Sequence, residues 1–489
     1  MKSTEQKKGC DCGCNRRQFI AATGTAAAGM FSLPMIKLFD SVFEPPKLST
    51  KEGAIVKTVF FYPPSETFSK PPDGWWSWPG NTYDAEGHQR KYSEEIRKIS
   101  SKLNMKVNIN DKSVSNNEDA QKIVKEVELE KPDGLLLIMF YNNSLAQVDI
   151  VLEAAEKLGI PTVFYIGLGV KHGSIRNYQR PGIYFIQSLD NFEAIESGMR
   201  MINARKLLKQ SVLLSIDNTK GRTESVEKFF GITTRPMLVD TYNKEFNSVI
   251  INNKAVEFLN KLKKESIEIR NVSQESFEYA VKAYFALKNL IEKENADAVT
   301  MNCLRVGLGR PCIGFSKLNN QLIPAICEND INAAYGQMIG QAVTGRPGFQ
   351  HNPAYETEKN HYYASHCTCP TKMYGPDGNE LKYLLTRYFH TNDGTCCIQV
   401  FWNPGDPVTM IHYYPGENPK LDVYSGIVVV SHQMPPAGGC STNVEIEITN
   451  RTNATSVTGH HNLLFCGDFT KRFKDFAQLH KLQLSEPLI

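Results

Sequence analysis

Four clusters of acid, imidazole and thiol residues crowd the second half of the sequence. Glu328-Asn329-Asp330 places two carboxylates around an amide. His351-Asn352 is followed closely by Glu356 and Glu358. His361 and His366 come next, the latter inside Ser365-His366-Cys367-Thr368-Cys369-Pro370. His460-His461 stands just before the apolar run 462–466. Of the 11 histidines, only His88 and His172 precede this half. Carboxylates mixed with imidazoles suit a divalent cation such as manganese, zinc or iron. No spacing here has the diagnostic value of HExxH, so each histidine taken alone reads first as a core or surface residue. His390, His412 and His432 sit among strand-like runs and read as structural. Cys367 and Cys369 lack a second pair at zinc-finger spacing. Cys396-Cys397 reads as a packed vicinal pair, with a thiol relay as the alternative.

Elements must bring these clusters together. Strand-like runs at 54–61, 106–109, 132–140 and 162–166 alternate with helical patterns at 92–103, 117–130 and 146–158. This alternation predicts a doubly wound α/β domain. A second unit of the same kind opens at a strand over 182–186. Helices at 192–208, 253–265 and 273–294 and strands at 211–216 and 298–304 continue it. Neither unit has a G-x-G-x-x-G after its first strand, and the glycine-rich stretch 307–312 has neither a lysine nor a helix at P-loop spacing. From about residue 345 the pattern changes to short β-type runs at 382–389, 396–401, 409–413, 421–430 and 443–448, split by turn signals such as Asn392-Asp393-Gly394. They predict an antiparallel β-barrel or sandwich, closed by a helix over 469–480. The fold class is therefore α/β: two doubly wound α/β domains (50–178 and 179–344) followed by a C-terminal antiparallel β-barrel-like domain (345–489). The Trp75, Trp76 and Trp78 loop offers a stacking platform for a sugar ring or an aromatic packing surface between domains.

A chain of 489 residues needs more than one core. Its 41% hydrophobic and 22% charged residues are those of an ordinary globular protein. A net charge of +3 gives no case for nucleic acid. Residues 1–49 read as a signal and linker. Asn15-Arg16-Arg17-Gln18-Phe19-Ile20 before a mild Ala/Gly run is the pattern of a twin-arginine export signal. That predicts a periplasmic protein, either cleaved or anchored by its uncut leader, with no other membrane span. Of the 12 cysteines, Cys10, Cys12 and Cys14 fall in this leader.

Several motifs, in order, resemble the L-fucose and L-arabinose isomerases. They are 310–316 (RPCIGFS), the small-residue helix after Cys327-Glu328-Asn329-Asp330, Thr344-Gly345-Arg346-Pro347, the stretch 358–367, Gly459-His460-His461-Asn462 and the final helix. The resemblance covers nearly all of the chain beyond the leader and is sharpest after residue 300. It implies a manganese-dependent aldose–ketose isomerase, acting through an enediol and assembled as a trimer or hexamer whose subunits share active sites. It places a metal-binding catalytic carboxylate at Glu328, a metal-binding histidine at His461 or, one position earlier, His460, and a further one at His366. One position departs from the family. The second acidic residue falls at Asn352, 24 residues beyond Glu328. An amide oxygen can still touch a metal but cannot act as a base. His351 is the substitute ligand or base, with Asp330 and Glu356 as further recruits. The expected cofactor is Mn2+ and the expected ligand a small sugar. The rival expectation is an exported sugar-binding descendant, or one of altered chemistry, that has lost isomerase turnover.

Overall fold

The computed structural model describes residues 45–48, 50–69, 83–168, 170, 175–388, 390, 395–434 and 439–485. The chain divides into two units, Met1–Glu44 and Pro45–Ile489. The first unit, with Arg16, Arg17, Cys10, Cys12 and Cys14, lies outside the described residues, as do Trp75, Trp76 and Trp78.

The first layer is built from β1 (Ile55–Phe61), α1 (Ala85–Lys102), β2 (Lys106–Ile109), α2 (Asn117–Glu130), β3 (Gly134–Met139), α3 (Leu145–Leu158), β4 (Thr162–Gly167) and β5 (Ile183–Ser188). The strands form one parallel sheet in the order β2-β1-β3-β4-β5. β3 is buried along its whole length, as expected for a central strand covered on both faces. Alternate residues serve the two faces. Val59, Phe61, Leu135 and Leu137 pack with Ile123 and Val151, while Phe60, Leu136 and Ile138 pack with Ile96 and Met199. The strand expected at 182–186 to open the second unit instead ends this sheet, with Ile183 opposite Thr162. Side-chain pattern identifies a strand but not the sheet it joins.

The second layer follows with α4 (Phe192–Lys209), β6 (Val212–Asp217), β7 (Ser225–Val226), β8 (Thr233–Leu238), α5 (Val239–Ser248), α6 (Asn253–Glu265), β9 (Ile269–Arg270), α7 (Gln274–Glu294), β10 (Ala298–Met301), α8 (Cys312–Asn320), β11 (Ala325–Cys327) and α9 (Ile331–Thr344). Its sheet runs β11-β10-β6-β8-β7, parallel except for β7. The chain leaves β6 toward β8 and returns on the other side at β10. The crevice beyond the carboxyl ends of β6 and β10 is therefore a topological switch point, where open α/β sheets bind ligands. A helix does follow the glycine-rich stretch: α8 begins at Cys312. Every residue of α8 is buried, so it has no polar face for a helical period to reveal.

The last layer comprises β12 (Phe349–Glu356), β13 (His361–His366), β14 (Tyr383–Arg387), β15 (Cys396–Val400), β16 (Pro407–Tyr414), β17 (Lys420–Ser431), β18 (Thr442–Ile448), β19 (Asn462–Cys466), α10 (Thr470–His480) and β20 (Gln483–Leu484). Strands β16-β19-β12-β13-β18-β17 are joined in that order, and β17 pairs back onto β16. This closes a six-stranded antiparallel barrel and removes its open edges. β14 and β15 lie outside the barrel, in a separate three-stranded sheet of order β15-β14-β9. The molecule is thus a mixed α/β protein with parallel sheets and a closed barrel.

Helix α9 couples barrel and sheet. Asp330 caps it, accepting from Ala333 N at 2.9 Å, a bond whose loss costs about 1 kcal/mol. Gly336 and Gly340 let β19 approach. A Cβ on Gly340 would lie 2.1 Å from the Phe465 ring, and one on Gly336 2.8 Å from Leu463.

Candidate metal centre

The turn from β11 into α9 is held in an uncommon conformation. Glu328 has φ +64° and Asn329 φ +55°, in the left-handed region that costs a non-glycine residue about 1 kcal/mol or more. Surrounding bonds enforce it. Asn329 N donates to Met301 O at 3.0 Å, and its side chain accepts from Ser215 Oγ at 2.9 Å. From the barrel, the Gln350 amide clamps the backbone of Cys327, accepting from its N at 2.7 Å and donating to its O at 3.2 Å. Sheet and barrel together therefore set the direction of the Glu328 carboxylate.

Two histidines from the barrel meet it. His461 precedes β19, also left-handed at φ +58°, and His366 ends β13. His461 Nε2 lies 3.3 Å from Glu328 Oε2, and His366 Nε2 lies 3.6 Å from Glu328 Oε1. Both nitrogens are buried, and neither makes a hydrogen bond. Behind the site, His461 Nδ1 pairs with Asp330 Oδ2 at 2.9 Å. That bond orients the ring, as a carboxylate does behind a metal-bound histidine.

The charges are strongly coupled. Contacts with His366 and His461 hold the Glu328 carboxyl well below the usual range against the opposing effect of burial. Burial disfavours a charged His461 ring, yet Asp330 and Glu328 outweigh it and hold the group up at about 9. Burial opposes charge on His366 as well, but Glu328 carries its value upward. Ligand atoms at 2.0–2.2 Å from a shared ion sit roughly 3 Å apart. Each of the two unpartnered nitrogens stands at a separation from a Glu328 oxygen that suits a shared divalent cation. His460 is exposed, but its ring centroid lies 4.1 Å from that of His461, with the planes tilted by 38°. Glu328, His460 and His461 each offer a ligand atom within 4.8 Å of the others.

Glu328, Asn352 and His366 line a cavity of about 270 Å³ together with Arg310, Tyr363, Tyr388 and His390. Asn352 Oδ1 and the Tyr363 hydroxyl are buried there without a hydrogen-bond partner. Asn352 thus shares a pocket with Glu328, whereas His351 is not brought to it. His351 is the next residue on β12 and points the other way. Both its ring nitrogens are engaged, Nε2 with Tyr362 Oη at 2.9 Å and Nδ1 with Phe349 O at 3.0 Å. Burial pushes its value down to about 3. Asp330 contributes behind His461, while Glu356 does not line the cavity.

The sequence pattern did not single out Arg310, Tyr363, Tyr388 or His390 as lining residues. Arg310 is buried with its guanidinium over the Tyr388 ring at 5.2 Å. A lone arginine in a glycine-rich stretch and two tyrosines far apart in the sequence carry no local signal of a shared cavity. Among known proteins, the sequence matches no family model and no curated protein significantly. No helix among the described residues is long and apolar enough to cross a membrane.

Proposed function

We propose that this chain is a divalent-metal-dependent aldose–ketose isomerase acting on a small sugar. The observation that supports this reading is the convergence of Glu328, His366 and His461 from three distant segments, with two buried imidazole nitrogens left unpartnered around one ionised carboxylate. A bound cation such as Mn2+ would polarise the sugar's adjacent carbonyl and hydroxyl oxygens. Glu328 is then the group that takes the proton from one carbon and returns it to its neighbour. Asp330 fixes the His461 ring behind it. The orphaned Asn352 Oδ1 accepts a hydrogen bond from a sugar hydroxyl. On this reading the two parallel sheets are two doubly wound units, and the enzyme is exported folded by the twin-arginine route and works as a homo-oligomer.

Asn352 favours a second reading, a sugar-binding protein without turnover, because an amide cannot accept a proton from carbon. Protein loaded with manganese, incubated with a panel of aldoses in deuterated water, separates the two. Deuterium entering at the second carbon supports the isomerase. Saturable sugar binding with no exchange on any sugar supports the binding protein. If Asn352→Asp then creates or strongly raises exchange, the second carboxylate is what the natural chain lacks.

A further inference from the structure

Nine cysteines are described and none is paired. Cys369, Cys396, Cys397 and Cys466 are buried and do not line the cavity, Cys397 packing behind Cys312, Cys367 and Cys440. The other five, Cys303, Cys312, Cys327, Cys367 and Cys440, all line the cavity beside Glu328. They come from five separate segments: the loop after β10, the start of α8, the end of β11, the residue after β13 and the approach to β18. Packing alone does not require thiols from five segments to face one cavity beside an ionised carboxylate.

Within this group, ligand atoms of Cys327, His366 and Cys367 all lie within 4.8 Å of one another, and all three residues are buried. Cys367 Sγ is 3.7 Å from His366 Nδ1. Tetrahedral zinc, with bonds of 2.0–2.3 Å, sets its ligand atoms roughly 3.3–3.8 Å apart. The other two thiols back the set: Cys303 Sγ contacts Cys327 Sγ at 2.7 Å, and Cys312 Sγ contacts Cys367 Sγ at 3.7 Å. His366 is 2% exposed, and its Nε2 has no hydrogen-bond partner. It stands between Glu328 and the thiols.

We infer that Cys327, Cys367 and His366 form a second metal site, distinct in chemistry from the carboxylate–imidazole site, that takes a thiophilic closed-shell cation of the zinc type. Two sulfurs and one nitrogen would leave a tetrahedral cation one ligand short, as in a reactive rather than a purely structural zinc site. Binding breaks two S–H bonds, forms two metal–sulfur bonds and one metal–nitrogen bond, and releases to solvent the two thiol protons together with the extra proton of His366 where that ring is charged, with no change of oxidation state. The inference does not depend on sugar turnover. Because His366 belongs to both sites, filling one alters the other.

The test uses the whole chain, reduced, stripped of metal by a chelator and titrated with Co2+ as the spectroscopic probe. The expected result is a thiolate-to-cobalt charge-transfer band in the natural protein. The band persists in Glu328→Gln and Cys396→Ser, disappears on adding Zn2+, and is lost in Cys327→Ser and Cys367→Ser. If the serine variants fail to fold, native-state alkylation of the natural protein decides. Zn2+ should then abolish the adducts on Cys327 and Cys367 seen by mass spectrometry in the stripped protein. Absence of a thiolate band, or its survival in both folded serine variants, overturns the proposal. So does equal alkylation with and without Zn2+, or isolation of Cys303 and Cys327 as a disulfide.

Discussion

Glu328 and Glu445 each face two histidines, and the two groups differ in almost everything else. Glu445 lies on β18 and accepts from His361 Nδ1 at 2.6 Å and His432 Nε2 at 3.0 Å, with Lys359 Nζ at 3.6 Å. Glu445 and His361 sit on regular strands. At Glu328 the carboxylate stands 3.3 and 3.6 Å from nitrogens that make no hydrogen bond, and both Glu328 and His461 are left-handed. The first group is a finished ion-pair network. The second withholds the bonds that would complete it and carries backbone strain besides. Residue composition does not distinguish a site from a salt bridge, whereas unmet bonding capacity does.

The largest expected effect comes from Glu328→Gln. It keeps the shape, removes the charge and deprives the site of the carboxylate that faces both histidines. On the proposed isomerase reading, turnover should fall by about 10²–10⁴-fold, and manganese loaded onto the protein should be lost on dialysis. Unchanged metal content in the folded variant would sink the assignment of the site.

A second contrast sets His461, held up at about 9, against His351, pushed down to about 3 by burial. His351 binds a proton more weakly in the folded chain than at its ordinary 6.5. Its stabilising contribution is therefore complete above pH 6.5 and is lost as pH falls from there toward 3. Across that window the natural protein should lose on the order of a few kcal/mol, read as a falling urea midpoint. His351→Phe should flatten that slope. An unchanged slope would place the acid sensitivity elsewhere, for instance at His480, also pushed down to about 3 by burial.

His351 also shows where sequence reading stops. Residue types placed Glu328, His366 and His461 in candidate clusters, and the resemblance to the sugar isomerases gave them their expected roles. The β12 run, with Pro353 inside it and charges at its end, does not alternate cleanly as a strand, so nothing in the sequence put His351 and Asn352 on opposite faces. The barrel strands 409–413, 421–430 and 443–448 were legible because each has one apolar face. The thiol group was not legible, since Cys303 and Cys440 meet only through barrel closure and sheet order. The same holds for β5, whose period is plain and whose sheet is not.

Asp330→Asn is a smaller perturbation of the Glu328 group. Asparagine still caps α9, so the helix start survives, but the charge behind His461 Nδ1 is gone. Loss of such an outer partner lowers metal affinity by about 10–100-fold. Competition with a chromophoric chelator would show it, and an unchanged affinity would mean that His461 is not a ligand.

The smallest effect is expected at the other member of the comparison. Glu445→Gln leaves an amide oxygen for His361 and His432 but gives Lys359 no charge to meet. His432 is partly exposed, with a side chain 37% accessible, so solvent screens part of the network. The expected cost is about 1 kcal/mol in urea unfolding near neutral pH, with metal content and turnover unchanged. The direction with pH follows from the lowered value of Glu445. A carboxylate that ionises more readily in the folded chain stabilises it fully above its ordinary 4.5, and that contribution fades as pH falls through the folded value. The gap between natural and variant midpoints should therefore be widest near neutrality and close in acid. A variant that lost metal together with this small stability would erase the distinction between the two glutamates, because the satisfied network would then be part of the site.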